Sequence, residues 1–181
     1  MNSKRLLAVL ALLPAFLSAA AAADELVLNG SGLRTKFLLG TMYELSLYVP
    51  AELKGAEAAA ILEADQPMEF RLAIKSGLIT RARFVETTTG GFAKAAESGY
   101  ASDQTSAFLA QFDKTEFKKG DVVTMRYGPD GLATLFRKAA DDSETTLGTI
   151  AGLDLKKALF AIWLGKTPAQ ESLKNQLLGA P

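Results

Sequence analysis

The chain has 181 residues, 20 basic and 20 acidic side chains, a 49% apolar composition, and neither cysteine nor histidine. This length suits one domain with its own core, and the even charge balance gives no basic footprint for nucleic acid. The two missing residue types exclude disulfides, thiolate nucleophiles, imidazole bases, zinc sites built from Cys and His, and a lipidated cysteine.

In chain order, Lys4 and Arg5, apolar residues 6–17 and the alanine run 19–23 follow the basic, apolar, small order of an export signal. The apolar run is short for a bilayer span, which takes about 20 residues. Cleavage near Ala23 is therefore expected, with no membrane span left in residues 24–181. One periplasmic or secreted domain would remain. Removing Lys4 and Arg5 leaves 18 basic against 20 acidic residues, a net charge of −2.

Residues 26–28 and 34–39 predict two short strands separated by the NGSG turn. Residues 41–49 alternate, with Tyr43, Leu45, Leu47 and Val49 on one face and Met42, Glu44, Ser46 and Tyr48 on the other. Pro50 ends that strand because it cannot extend a central ladder. The alanine-rich residues 56–64 predict a short helix. Residues 68–74 return to period two, with Met68, Phe70, Leu72 and Ile74 inward and Glu69, Arg71 and Lys75 in water.

Thr80 is positioned to cap a helix whose apolar stripe is Phe84, Thr88, Phe92 and Ala95 or Ala96. Gly90 and Gly91 each cost such a helix about 1 kcal/mol relative to alanine, so close packing or a kink is expected there. A second helix is expected over residues 103–112. KKGD then turns the chain into a strand at 122–127, and GPDG joins that to a strand at 132–137, with another expected at 145–150. Consecutive strands of this kind favour an antiparallel sheet. Residues 153–164 predict a helix that Gly165 stops, and Thr167-Pro168-Ala169-Gln170 has the form of a capping box opening a last helix.

The carboxylates Asp141, Asp142, Asp113, Glu116 and Asp121 lie in polar loops with no convergent spacing, so they read as surface rather than as metal or acid–base sites. No G-x-S-x-G, Walker or dinucleotide-binding spacing occurs, and no metal or cofactor is expected. Trp163 is compatible with core packing or with covering a pocket. Arg34 and Tyr43 form the remaining constellation. A guanidinium binds a carboxylate through two parallel hydrogen bonds, and a phenol adds a donor while its ring packs on hydrocarbon. Spacing alone leaves Arg34 open between a solvated edge charge and such an anchor.

Three stretches, LNGSGLRTKFLLGTMYELSLYVP, KKGDVVTMRYGPDG and LFAIWLGKTPAQESLKNQLLG, occur in this order. Together they resemble the opening segment, hairpin and closing helices of the secreted bacterial chalcone isomerase-like proteins. The resemblance implies an α+β open-faced β-sandwich, a large antiparallel sheet with a helical layer on one face and a ligand cleft between the layers. In plant chalcone isomerases the reaction is an intramolecular oxa-Michael ring closure, in which an arginine holds substrate and stabilises the developing enolate. In related fatty-acid-binding members an arginine and a tyrosine hold the carboxylate.

Matched position by position, Arg34 stands at that arginine, and Tyr43 stands where the enzymes have a threonine of the catalytic hydrogen-bond network. The enzymes' tyrosine and asparagine fall near Ile79 and Glu86, and a hydroxyl-bearing contact position falls near Ile162. Only the arginine is kept, so ring closure of chalcones at a useful rate is not expected. The resemblance implies an exported, non-catalytic binder of a fatty acid or other amphipathic carboxylate, with Arg34, Tyr43, Glu86, Ile162 and Trp163 as its site. Two alternatives stay open at this level. One is an isomerase or lyase of other specificity that stabilises an enolate with Arg34. The other is a cell-envelope interaction module with a closed cleft, in which Arg34 pairs with Glu44 or Glu86.

Overall fold

The computed structural model describes residues 25–179. The export signal expected at residues 1–23 lies outside the described residues. Six strands, β1 (Val27–Lys36), β2 (Gly40–Val49), β3 (Met68–Ile74), β4 (Val122–Gly128), β5 (Gly131–Arg137) and β6 (Glu144–Ile150), form one antiparallel sheet in sequential order. Five helices accompany them: α1 (Ala58–Glu63), α2 (Arg81–Glu97), α3 (Thr105–Ala110), α4 (Leu153–Leu164) and α5 (Glu171–Leu177). The expected α+β architecture is therefore the observed one.

Period-two burial places the core between sheet and helices. Leu45, Leu47, Phe70, Leu72, Val123, Met125 and Leu132 are buried from the strands, and Leu155, Leu159, Phe160 and Trp163 from α4. Burying apolar surface at about 25 cal/mol per Å² is the force that holds the two layers together. Helix α2 packs against α4, and α5 against β1. Gly91 explains the closeness of the first contact, because a Cβ there would lie 2.8 Å from Ile162 Cγ2.

NGSG does not form the expected turn. It lies inside β1, where the register passes from Leu28↔Tyr48 to Gly30↔Leu47 and leaves Asn29 as a bulge. Asn29 is buried; its Nδ2 donates to Leu177 O at 2.7 Å and its Oδ1 accepts from Gly55 N at 2.8 Å. Gly30 lets the end of α5 approach, since a Cβ would meet Gln176 O at 2.1 Å. These are glycines of close approach, a use that a sequence pattern does not separate from a turn. The strand expected to reach residue 39 ends at Lys36, and the true turn is Phe37-Leu38-Leu39.

Four other expectations are corrected, the first being Asp121, which reads as surface but is 3% exposed because its carboxylate accepts from Lys118 N at 2.7 Å and Ala139 N at 3.0 Å. Glu69 is 1% exposed rather than in water, because Arg71 and Arg126 both pair with it across the outer face. Met42 is buried rather than outward: a second register shift, from Arg34↔Tyr43 to Thr35↔Thr41, leaves it unpaired. The last helix starts at Glu171 instead of just after Thr167, since Gln170 turns its side chain elsewhere. Thr80 does cap α2, accepting from Arg83 N at 3.3 Å.

Candidate functional site

A cleft of about 490 Å³ opens between the sheet and the α2–α4 layer. Arg34 and Tyr43 are cross-strand partners at the β1–β2 end of it. Directly opposed residues in an antiparallel pair have Cβ atoms about 5 Å apart, so the guanidinium and the phenol emerge side by side. The floor is completed by Met42, turned in by its bulge, and Leu72; Ile162 and Trp163 come from α4. Helix α2 contributes Arg83, Glu86, Thr87, Gly90, Gly91 and Lys94, a stripe at helical spacing, together with the buried Phe84 and Thr88, while Phe92 and Ala95 of the same helix are buried in the core. The glycines leave this wall without side-chain bulk.

Arg34 is held at one nitrogen. Its Nη1 donates to Gln170 Oε1 at 2.7 Å and to the Thr35 carbonyl at 2.8 Å, and Gln170 Oε1 also accepts from Thr35 N at 3.1 Å. Gln170 Nε2 donates to Ser172 Oγ at 2.6 Å, which fixes the amide. Among the described residues Nε and Nη2 of Arg34 have no partner, and no carboxylate lies within ion-pair distance. The pairing with Glu44 that the closed-cleft alternative would entail is absent among the described residues, where Glu44 bonds Lys75 at 2.8 Å. Glu86 lines the cleft without forming an ion pair with Arg34.

Tyr43 Oη accepts from Trp163 Nε1 at 2.9 Å. The phenol's own proton therefore remains to be donated. Burial raises the Tyr43 pKa above its ordinary value, only partly offset by the Trp163 hydrogen bond and the Arg34 charge. The group thus stays a neutral donor at physiological pH rather than a base. Trp163 serves both purposes considered for it: it is 6% exposed, packs on Phe70 at 5.2 Å between ring centroids, and lines the cleft.

Four cations, Arg34, Lys36, Arg83 and Lys94, line this otherwise apolar cleft against one carboxylate, Glu86. The excess of positive charge favours an anion, and the walls favour hydrocarbon. Among the described residues no cluster of acidic side chains could hold a metal ion. The five residues expected from sequence are brought together in this one cleft. Gln170 was hidden because its position reads as a helix cap, and Met42 because only the bulge reverses its face. Arg83, Lys94 and Lys36 carried no motif.

The chain belongs to the chalcone isomerase-like family, whose family model matches residues 15–179. Its fold is similar to the crystal structure of an Arabidopsis thaliana fatty-acid binding protein, AtFAP1. The TM-score is 0.63 at 20% sequence identity, covering 86% of this chain and 87% of that one. No curated protein matches the chain.

Proposed function

We propose that this protein is an exported, non-catalytic ligand binder that takes a fatty acid or another amphipathic carboxylate into the cleft, head group at Arg34 and Tyr43. The observation that carries this reading is the state of Arg34. Gln170 and the Thr35 carbonyl hold Nη1 and leave the Nε–Nη2 edge free, and that edge matches the two oxygens of a carboxylate. The Tyr43 hydroxyl stands beside it as a neutral donor. A cleft of about 490 Å³ lies within the range of about 300–1,000 Å³ usual for small-molecule sites. The named ligand class of the Arabidopsis protein supports the same reading, and the leader-like residues 1–23 support a periplasmic or secreted location.

Titration of purified protein with a long-chain fatty acid, followed by calorimetry, tests it. Saturable binding is expected, and Arg34→Ala should weaken it by about 10- to 100-fold, the worth of hydrogen bonds to a charged group. Absence of saturable binding by the folded wild-type protein sinks the reading. Ring closure of hydroxychalcones is expected to be negligible: Ile79 and Ile162 line the cleft, and the family resemblance sets these hydrocarbon side chains near positions where the enzymes carry oriented donors. Turnover that Arg34→Ala abolishes in a folded protein would favour the isomerase alternative instead.

A further inference from the structure

The turn between β1 and β2 holds three consecutive large apolar side chains in water. Phe37 is 91% exposed, Leu38 87% and Leu39 51%. Every other phenylalanine among the described residues is buried. Leu38 also has a φ of +62°, a left-handed conformation that glycine or asparagine adopts at lower cost. The turn therefore keeps a bulky apolar residue where both sterics and solvation disfavour it. Neither the core nor the cleft lining uses these side chains.

The surroundings of the tip are basic. Lys36 ends β1 and lines the cleft. Lys75 N donates to Met42 O at 2.9 Å and Gly120 N to Ile74 O at 2.8 Å, so Lys75, Lys118 and Lys119 continue along the same end of the sheet. All four lysines are exposed; among the described residues Lys36, Lys118 and Lys119 have no ion-pair partner, whereas Lys75 is paired. Two nearby carboxylates are engaged: Glu44 with Lys75, and buried Asp121 with the backbone N–H groups of Lys118 and Ala139. Lys36 and the 40% exposed Leu78 both line the cleft, so the cleft reaches this end of the sheet.

A narrow apolar protrusion flanked by ammonium groups suits a fluid anionic surface, where the apolar side chains enter the headgroup boundary and the lysines sit among phosphates. We propose that Phe37, Leu38 and Leu39 dock the protein on an anionic bilayer, with this end of the cleft turned toward the lipid. Docking needs no ligand in the cleft, so it stands or falls separately from carboxylate binding.

Purified protein is mixed with vesicles of phosphatidylcholine alone or with added phosphatidylglycerol, and bound protein is measured by co-sedimentation. The wild type is expected to bind the phosphatidylglycerol vesicles more strongly, with binding reduced by salt and by Lys36→Glu. Joint substitution Phe37→Ser and Leu38→Ser should reduce binding at least about tenfold. The variants share the same termini, so residues 1–23 contribute equally to each. Leu38→Gly relieves the backbone conformation, and is expected to weaken vesicle binding without loss of thermal stability. Equal vesicle binding by wild type and the double variant overturns the proposal, as does wild type that binds neither vesicle. A dimer abolished by the double substitution, without vesicle binding, assigns the tip to a second copy of this chain and overturns it as well.

Discussion

Arg34 and Tyr43 contribute differently to the polar end of the cleft, and substitutions separate them. Tyr43→Phe removes one neutral donor, so carboxylate affinity should fall by about 3- to 10-fold in calorimetric titration. It also strips Trp163 Nε1 of its acceptor, and denaturant unfolding should show a stability loss of about 1–2 kcal/mol. Unchanged stability would mean that the Trp163–Tyr43 bond is not holding the α4 wall to β2. Arg34→Lys keeps the charge but not the planar edge, so its affinity should lie between wild type and Arg34→Ala. Equal affinity of Arg34→Lys and wild type would reduce the role of Arg34 to charge alone. Of this site, Arg34 and Tyr43 were legible in the sequence because their chemistry is written in the residue type. Gln170 was not, because its role depends on a strand 135 residues away in sequence.

At the scale of elements, α2 carries two adjacent glycines in opposite situations. A Cβ at Gly91 would press on Ile162 at 2.8 Å, whereas nothing lies within 4 Å of one at Gly90. Gly91→Ala should therefore destabilise by about 1–3 kcal/mol through overpacking. Gly90→Ala should stabilise by up to about 1 kcal/mol through helix propensity. Paired denaturant melts read both, and the same sign for the two would refute the α2–α4 packing described above. The sequence signalled a weakened helix and either close packing or a kink. It could not assign the closeness to one glycine, since that depends on the side of α2 that meets α4.

At the scale of the molecule, the core encloses a lysine. Lys156 is fully buried, and its Nζ donates to the carbonyls of Ile61, Leu62 and Ala64 at 2.7, 3.0 and 2.9 Å. It thereby ties α4 to the C-terminal end of α1, where a helix leaves carbonyls unpaired. Burial, reinforced by the neighbouring Lys157 charge, pushes its pKa down to about 7 from an ordinary 10.5. Between these values the unfolded chain holds more protons than the folded one, so this residue makes stability rise with pH across that window. Above pH 10 the trend should reverse. Tyr127, whose hydroxyl donates to Asp65 at 2.6 Å, has its pKa raised to about 12 from 10.0, so there the folded chain holds the extra proton. Chemical unfolding from pH 6 to 11 checks both limbs. Lys156→Met should flatten the rising limb and cost about 2 kcal/mol near pH 10, at the top of that limb, because the buried carbonyls lose their donor. A rising limb unaltered in that variant would disprove the assignment.

From residue 41 onward the sequence by itself determined the order of strands and helices, and it determined the antiparallel sheet and most of the apolar stripes, because these follow from local periodicity and turn chemistry. It determined equally that cysteine and histidine chemistry is absent from this chain. Tertiary structure alone decided that NGSG is a bulged strand under α5, that Met42 faces inward, and that Glu69 is buried between two arginines. It also decided that Gln170 leaves a helix start to hold Arg34. Each of these outcomes depends on which backbone or charge arrives from a distant part of the chain. Local pattern carries no information about that neighbour, and the energy of burying or pairing a group is set by it.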